Sequence, residues 1–168
     1  SLYTGNGKGK TTAAIGLSIR AAGAGKKILF CQFVKGMEYH EIEVLKSLSP
    51  LIIFRNYGRG CFFQRGIEPD DHVAAKAGYD DLMSMMRQLP GFDMIVTDEL
   101  TIALYHRLLS MEQVIGLVRS KQERTELIIT GRYAPDELVA VADLVTEMKE
   151  VRHYYQDGLV PAREGIEF

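Results

Sequence analysis

The chain has 168 residues, of which 46% are hydrophobic and 25% are charged, as is typical of one soluble globular domain with a sizeable core. Its formal net charge is −2 without any run of like charges, so nucleic acid is not an expected partner. Cys31 and Cys61 are far apart and the histidines are scattered, which predicts neither a disulfide framework nor a zinc site and favours a reducing cytoplasm. No apolar stretch is long enough to cross a membrane.

Short apolar segments alternate with longer segments of helical periodicity, a pattern that predicts β-α units around a mainly parallel sheet. The predicted strands are Leu2–Thr4, Lys27–Phe33, Leu51–Asn56, Asp93–Thr97, Glu126–Thr130 and Leu144–Lys149. Since each strand is almost entirely apolar, both faces of the sheet should be covered. The predicted helices are Lys10–Ala22, His40–Leu48, Asp70–Leu89, Met111–Lys121 and Pro135–Ala140. We therefore predict a single α/β domain over residues 1–168, with the sheet flanked by helices.

A glycine-rich segment, TGNGKGKTT, joins the first strand to the first helix. Its end matches the phosphate-loop signature G-x-x-x-x-G-K-[ST], but Thr4 stands where the first glycine is usual. Glycines let backbone N–H groups turn toward an anion, and the helix N-terminus adds partial positive charge. Lys10 is predicted to bind phosphate oxygens and Thr11 to ligate Mg²⁺. The predicted nucleotide-binding residues of this segment are Thr4, Gly5, Asn6, Gly7, Lys8, Gly9, Lys10, Thr11 and Thr12.

This loop predicts a nucleoside triphosphate ligand and the phosphate-loop NTPase (RecA-like) architecture. The alternative is a glycine-rich turn that only caps a helix. A dinucleotide fingerprint fits less well, because it requires glycine where Lys10 stands. Only Ser1, Leu2 and Tyr3 precede Thr4, and no signal peptide is recognisable. We expect the native N-terminus to lie upstream of Ser1.

Two carboxylates end the apolar strand that follows Phe92, in the sequence FDMIVTDE. In phosphate-loop proteins an acid at the end of a neighbouring strand holds Mg²⁺, directly or through water. Asp98 and Glu99 are therefore predicted to join Thr11 as metal ligands, because hard cations prefer carboxylate oxygens. Alternatively, the two acids cap the following helix at Thr101, and the sequence is compatible with both roles.

Basic residues at the strand ends are candidates for the remaining ligand contacts. Lys35 in FVKG and Arg132 in TGRYAP each follow a strand, at the edge of a parallel sheet where ligands bind. Arg20 lies three helical turns beyond the phosphate loop, and a solvated surface arginine is an equally good interpretation there. Of the arginines, Arg132 is the better candidate.

A long connection, YGRGCFFQRGIEP, runs from Tyr57 to Pro69 with three glycines and no periodicity. Loops of this length in compact domains are often functional. Phe62 and Phe63 are its apolar candidates, with core anchoring of the loop as the alternative, whereas Cys61 is interpreted as a small hydrophobic residue. The polar tail from Gln156 is expected to run over the surface.

Five segments together carry a resemblance to a known family: YTGNGKGKTTAA, CQFVKG, VTDEL, TGRYAP and ADLVTEMKEVRHYYQDGLVPAREGIEF. The sequence resembles the ATP:cob(I)alamin adenosyltransferases of the CobA/BtuR/CobO type, also called corrinoid adenosyltransferases. The threonine-containing loop and the closing pattern that ends in GIEF are the most specific features. The resemblance spans nearly the whole chain.

The resemblance implies transfer of the 5′-deoxyadenosyl group of ATP to Co(I) of a corrinoid, with triphosphate as the leaving group and adenosylcobalamin as a product. The acceptor would be cobalamin, cobinamide or cobyrinic acid a,c-diamide. ATP would be the co-substrate, Mg²⁺ the cofactor, a flavoprotein the reductant and a homodimer the assembly. The implied catalytic residues are Lys10, Glu99 and Arg132, and Phe62 or Phe63 would contact the corrinoid.

Two other functions remain open at this point. A Mg-ATP-dependent phosphotransferase or NTPase would use the same loop, carboxylate and arginine, and its product would be ADP. A nucleotide-gated binding module would bind ATP without turning over any corrinoid. The resemblance favours the adenosyltransferase because it extends through segments that a nucleotide switch would not need.

Overall fold

The computed structural model of the chain describes residues 1–36, 39–59, 66–88 and 91–167. Within these residues the strands are β1 (Leu2–Thr4), β2 (Ile28–Gln32), β3 (Ile52–Asn56), β4 (Met94–Asp98), β5 (Glu126–Thr130) and β6 (Val145–Glu147). The helices are α1 (Lys10–Gly23), α2 (His40–Ser47), α3 (Pro69–Met86), α4 (Leu100–Tyr105), α5 (Met111–Ser120), α6 (Asp136–Val141) and α7 (Tyr154–Gly158). No helix in the described part of the chain is long and apolar enough to cross a membrane.

The six strands form one sheet in the order β3-β2-β4-β5-β1-β6. Every neighbouring pair is parallel, which confirms the prediction of a parallel α/β sheet flanked by helices. The phosphate-loop strand β1 is separated from the acidic strand β4 by β5 alone. Since all strands run the same way, the loops that follow β1, β2, β4 and β5 meet at the carboxyl edge of the sheet.

Alternate residues of the central strands enter two hydrophobic clusters, one on each face of the sheet. On one face Phe30 and Val96 pack with residues of α1 and α2, including Ala14 and Leu45. On the other face the residues next to them in the chain pack with α3, α4, α5 and α6. This alternation follows from the period of two along a strand, and burial on both faces explains why the central strands are mostly apolar.

The structure corrects the expectation for the last strand and adds two helices. All three residues of β6 are exposed, because β6 is an edge strand and not a strand covered on both faces. Helix α4 was not predicted, since its sequence LTIALY is too short and too apolar to show helical periodicity. Helix α7 has only five residues and is equally invisible to a periodicity argument. Leu89, the predicted end of α3, lies outside the described residues.

Tyr57 is fixed between β2 and α3. Its ring packs on Phe33 with a centroid separation of 5.2 Å, and its hydroxyl donates to Asp81 at 2.7 Å. The thiol of Cys31 donates to the same hydroxyl at 3.7 Å, and burial raises the pKa of Cys31 to about 12. A Cβ atom on Gly78 would overlap the Tyr57 ring. Glycine at position 78 therefore lets α3 approach the residue where the 57–69 connection begins.

We expect Gly78→Ala to destabilise the fold by about 1–3 kcal/mol, because overpacking forces a well-fixed ring to move. Gly16→Ala is the matched control, since a Cβ atom there meets nothing within 4 Å. In the middle of α1 that change should instead stabilise by about 0.5–1 kcal/mol. Urea denaturation of both variants measures the difference. Equal effects of the same sign would contradict the close packing of Tyr57 against Gly78.

Candidate active site

A cleft of about 520 Å³ opens at the carboxyl edge of the sheet. It lies where the segments after β1, β2, β4 and β5 meet the start of α2 and the C-terminal segment. Its described lining consists of Gly7, Lys8, Gly9, Lys10, Thr11, Thr12, Ile15, Lys35, Tyr39, His40, Glu41, Glu99, Arg132, His153, Tyr154, Gly165, Ile166 and Glu167. The cleft thus brings Lys8, Lys10 and Thr11 of the phosphate loop together with Lys35, Glu99 and Arg132 from distant parts of the chain.

Lys10 closes the phosphate loop on itself. Its ammonium donates to the carbonyls of Gly5 and Gly7, both at 2.7 Å. The pKa of Lys10 is lowered, chiefly by burial and then by the positive charge of Arg132. The loop ends at Gly9, which has a φ of 116° and precedes the first residue of α1. The N-terminus of α1 therefore faces the cleft with its free N–H groups, the usual arrangement for binding an anion.

Gly5 and Gly7 are required by the backbone that follows β6. A Cβ atom on Gly5 would lie 2.5 Å from the carbonyl oxygen of Met148, and one on Gly7 would lie 2.6 Å from it. The N–H of Gly7 donates to that same oxygen at 2.6 Å. One amide of the loop is therefore directed at the protein and not at the cleft. The sequence reading of these glycines as phosphate-facing residues omitted this contact.

Asp98 is fully buried at the end of β4, and it accepts hydrogen bonds on both oxygens. Thr11 and Thr130 donate to Oδ1 at 2.9 and 2.6 Å. Gln32 donates to Oδ2 at 3.1 Å, and Lys35 reaches the same oxygen at 3.4 Å. Asp98 does not line the cleft. Its carboxylate instead fixes the hydroxyl of the phosphate-loop threonine relative to three strands.

Lys35 places one positive charge among three oxygen groups. Its ammonium donates to the Thr11 hydroxyl at 3.0 Å and lies 3.4 Å from Asp98 and 3.5 Å from Glu99. Burial alone would lower the pKa of Lys35, but the two carboxylates outweigh burial and raise it. Burial raises the pKa of Glu99, against the opposing effect of Lys35. Oxygens from the end of β4 and from the phosphate loop thus converge on the Lys35 ammonium.

Glu99 occupies the N-cap position of α4, but its side chain makes no capping hydrogen bond. Its backbone is left-handed, with a φ of 59°, and Val34 after β2 and Tyr133 after β5 share this conformation with φ values of 69° and 58°. Left-handed backbone in non-glycine residues costs energy and is concentrated at functional sites. Each of these residues is, or adjoins, a side chain that lines the cleft.

Arg132 is positioned by the segment after β5. The hydroxyl of Thr101 donates to its carbonyl at 2.7 Å, and Gly131, with a φ of 135°, leaves no room for a Cβ atom beside that hydroxyl. Helix α4 therefore holds the backbone from which Arg132 extends into the cleft. Arg20 is different, because it is exposed in the last turn of α1 and does not line the cleft.

Several other predicted residues stand apart from the cleft lining. Thr4, at the end of β1, and Gly5 and Asn6, which follow it, do not contribute to the described lining. Phe62 and Phe63, together with Cys61, lie outside the described residues. Their predicted roles are therefore proposals.

The C-terminal segment is the part of the site that sequence reasoning missed. The described tail from Gln156 is mostly exposed, as expected. Ile166 and Glu167 at its end nevertheless line the cleft, together with His153 and Tyr154 just before it. Lys8, predicted as a phosphate ligand, forms an ion pair with Glu167 at 2.6 Å. The available signal was the family-specific ending GIEF, which had no assigned physical role.

The family comparison agrees with this geometry. Residues 1–168 match the model of the family described as ATP:corrinoid adenosyltransferase BtuR/CobO/CobP. The chain belongs to this family. The resemblance found in the five sequence segments is thereby confirmed, and the members of the family are transferases that use ATP and corrinoid substrates.

Curated relatives cover almost all of the chain. The corrinoid adenosyltransferase of Pseudomonas aeruginosa is 30% identical over 168 residues, which cover 99% of this chain and 82% of the relative. The corrinoid adenosyltransferase CobA of Salmonella typhimurium is 33% identical over 176 residues, covering 99% and 84%. The corrinoid adenosyltransferase of Escherichia coli K12 is 31% identical with the same coverage as the Salmonella protein.

We expect Asp98→Asn to destabilise the fold by about 1–3 kcal/mol, because an amide cannot accept from four donors and leaves Lys35 poorly compensated. Asp93→Asn is the control at the other end of the same strand. Asp93 is exposed, and its bonds to Lys26 and the Lys27 amide are solvent-accessible. Asp93→Asn should therefore destabilise the fold by less than about 1 kcal/mol. Chemical denaturation gives both values. Similar values for the two variants would argue against a structural role for the Asp98 network.

Proposed function

We propose that this chain transfers the 5′-deoxyadenosyl group of ATP to Co(I) of a corrinoid, the reaction of its family, with triphosphate as the leaving group. One observation supports the use of this cleft for the reaction: the α1 N-terminus, Lys10, Lys35 and Arg132 all face the same space. A triphosphate that leaves as a unit carries several negative charges. Several fixed cations around one space are suited to that leaving group.

The chemical step is a displacement at carbon. The electron pair of Co(I) forms the new bond to C5′ of ATP, and the bond between C5′ and the triphosphate oxygen breaks. That oxygen keeps the electron pair, so cobalt is formally oxidised to Co(III) and no proton is abstracted. The corrinoid is a strong nucleophile in this state, so the protein needs no catalytic base and contributes alignment and charge stabilisation.

Lys10 and Arg132 are the proposed cationic ligands of the leaving triphosphate. Lys10 now donates to two loop carbonyls, and phosphate oxygens would replace these as acceptors when nucleotide binds. The pKa of Lys10 is lowered chiefly by burial and then by repulsion from Arg132. The same anion would oppose both effects, because opposite charge favours the protonated amine. The two cations are therefore well matched to a bound polyanion.

Thr11 and Glu99 are the proposed protein ligands of Mg²⁺. Both oxygen groups already surround one positive charge, the Lys35 ammonium. Mg²⁺ would take the place of that ammonium, because hard divalent cations prefer such oxygens. Asp98 is proposed to orient Thr11 and not to ligate the metal directly, since its oxygens already accept four contacts. When bound, Mg²⁺ supplies additional positive charge to the phosphates.

The family resemblance also supports three proposals about the assembly. We propose a homodimer, a flavoprotein as the source of the electron that makes Co(I), and a cytoplasmic location. Light scattering at assay concentration would test the homodimer. Turnover from Co(II) with a reduced flavoprotein would test the reductant, and cell fractionation would test the location. A monomeric mass, no turnover or recovery outside the cytoplasmic fraction would contradict the respective proposal.

The decisive experiment for the proposed reaction is an anaerobic incubation with Mg·ATP and chemically reduced cobalamin. We expect the Co(I) absorbance to disappear while a light-sensitive organocobalt product and free triphosphate accumulate in equal amounts. Release of ADP would indicate phosphotransfer instead. ATP binding without any product would indicate a nucleotide switch.

We expect Lys10→Ala to reduce triphosphate formation by about 10²–10³-fold, the usual effect of removing one fixed group that stabilises transition-state charge. Lys26→Ala is the control, since Lys26 is exposed and pairs with Asp93 at the opposite edge of the sheet. Circular dichroism should show that both variants fold. Full activity of the Lys10 variant would contradict the proposed mechanism.

A further inference from the structure

The C-terminal segment uses all three N–H donors of the Lys8 ammonium. Glu167 Oε1 lies 2.6 Å from Lys8 Nζ, the carbonyl of Ile166 lies at 3.0 Å and the hydroxyl of Tyr154 lies at 3.2 Å. An ammonium has three N–H donors and no acceptor. Lys8 therefore has no hydrogen-bond donor left for a phosphate oxygen while the tail is docked.

Glu167 is held in this position by more than Lys8. The Tyr154 hydroxyl donates to Glu167, and the backbone N–H of Arg163 donates to its other oxygen at 2.7 Å. The guanidinium of Arg163 also lies 4.8 Å from the centre of the Tyr154 ring. These contacts form a defined unit that we call the tail latch: Tyr154, Arg163, Ile166, Glu167 and their partner Lys8.

The charge of the latch opposes nucleotide binding. Glu167 places a carboxylate on the wall of the cleft that also contains Lys10 and Arg132. The hydrogen bond from Lys8, followed by that from Tyr154, holds the pKa of Glu167 well below its usual range, so the carboxylate is ionised at any physiological pH. A fixed anion beside a polyanion-binding space repels the ligand, and it also neutralises one cation of the cleft, Lys8.

We propose that Glu167 and the triphosphate of ATP compete for the ammonium of Lys8. Nucleotide binding and docking of the tail at Lys8 therefore exclude each other. This inference rests on the proposed function of the cleft as a triphosphate site. Binding releases the latch as phosphate oxygens replace the carboxylate on Lys8. The reverse exchange returns Glu167 to Lys8 as the triphosphate product leaves, which makes the tail a contributor to product release.

Calorimetric titration of the full chain with inorganic tripolyphosphate in Mg²⁺ buffer tests the competition. Glu167→Gln keeps an acceptor for Lys8 but removes the charge, and it should tighten tripolyphosphate binding by about two- to fivefold, the range expected from a solvent-accessible ion pair. Asp80→Asn is the matched control, because Asp80 forms an exposed ion pair with Lys76 at 2.6 Å and does not line the cleft. Its dissociation constant should equal that of the native chain.

A double-mutant cycle with Lys8→Met separates competition from general repulsion. Lys8→Met alone should weaken tripolyphosphate binding, and the gain from Glu167→Gln should shrink in that background. An undiminished gain, or no gain in the single variant, would overturn the competition. If the native chain itself binds neither tripolyphosphate nor ATP, the proposed function fails and this inference fails with it.

Limited trypsin digestion tests release of the tail without any substitution. Arg163 is stacked on Tyr154 in the docked tail, so cleavage after Arg163 should be slow. Tripolyphosphate should accelerate that cleavage, as measured by the mass of the truncated chain over time, while inorganic sulfate at equal ionic strength should not. Protection of Arg163 by tripolyphosphate would overturn the exchange, because it would mean that the tail closes over the ligand.

Discussion

The site depends on one buried carboxylate. Asp98 ends β4 with no exposed surface, and a charge in that position is tolerated only because donors from β2, β5, the phosphate loop and Lys35 compensate it. The same bonds fix the first turn of α1 against the centre of the sheet. A residue that does not line the cleft therefore determines where Thr11, and with it the phosphate loop, stands relative to Glu99.

The lysines of the site already have partners before any ligand binds. Lys10 is bonded to the loop, Lys35 to the oxygens around Thr11, and Lys8 to the C-terminal tail. Ligand binding at such a site exchanges one set of hydrogen bonds for another. The net free energy gained per new contact is therefore smaller than the energy of that contact alone. Selectivity for a highly charged ligand follows, because only a polyanion can replace several internal acceptors at once.

The sequence was sufficient to predict the parallel sheet and the site residues at its carboxyl edge. Apolar strand segments and the loop signature indicated where Lys10, Lys35, Glu99 and Arg132 would meet, since the carboxyl ends of parallel strands share one edge. It was insufficient for Glu167. A glutamate in a polar tail carries no periodic signal, and its pairing with Lys8 spans 159 positions along the chain. Strand order could not be derived either, because all central strands are similarly apolar.

The unusual Thr4 in the phosphate loop has a structural explanation. Thr4 is the last residue of β1, paired with Glu147 of β6, and its carbonyl accepts from the N–H of Met148 at 2.8 Å. A residue in extended conformation needs no glycine, and a β-branched side chain suits a strand. Glycine is instead required at positions 5 and 7, where the backbone after β6 leaves no room for a Cβ atom. Threonine at position 4 is thus compatible with the sixth strand that pairs beside the loop.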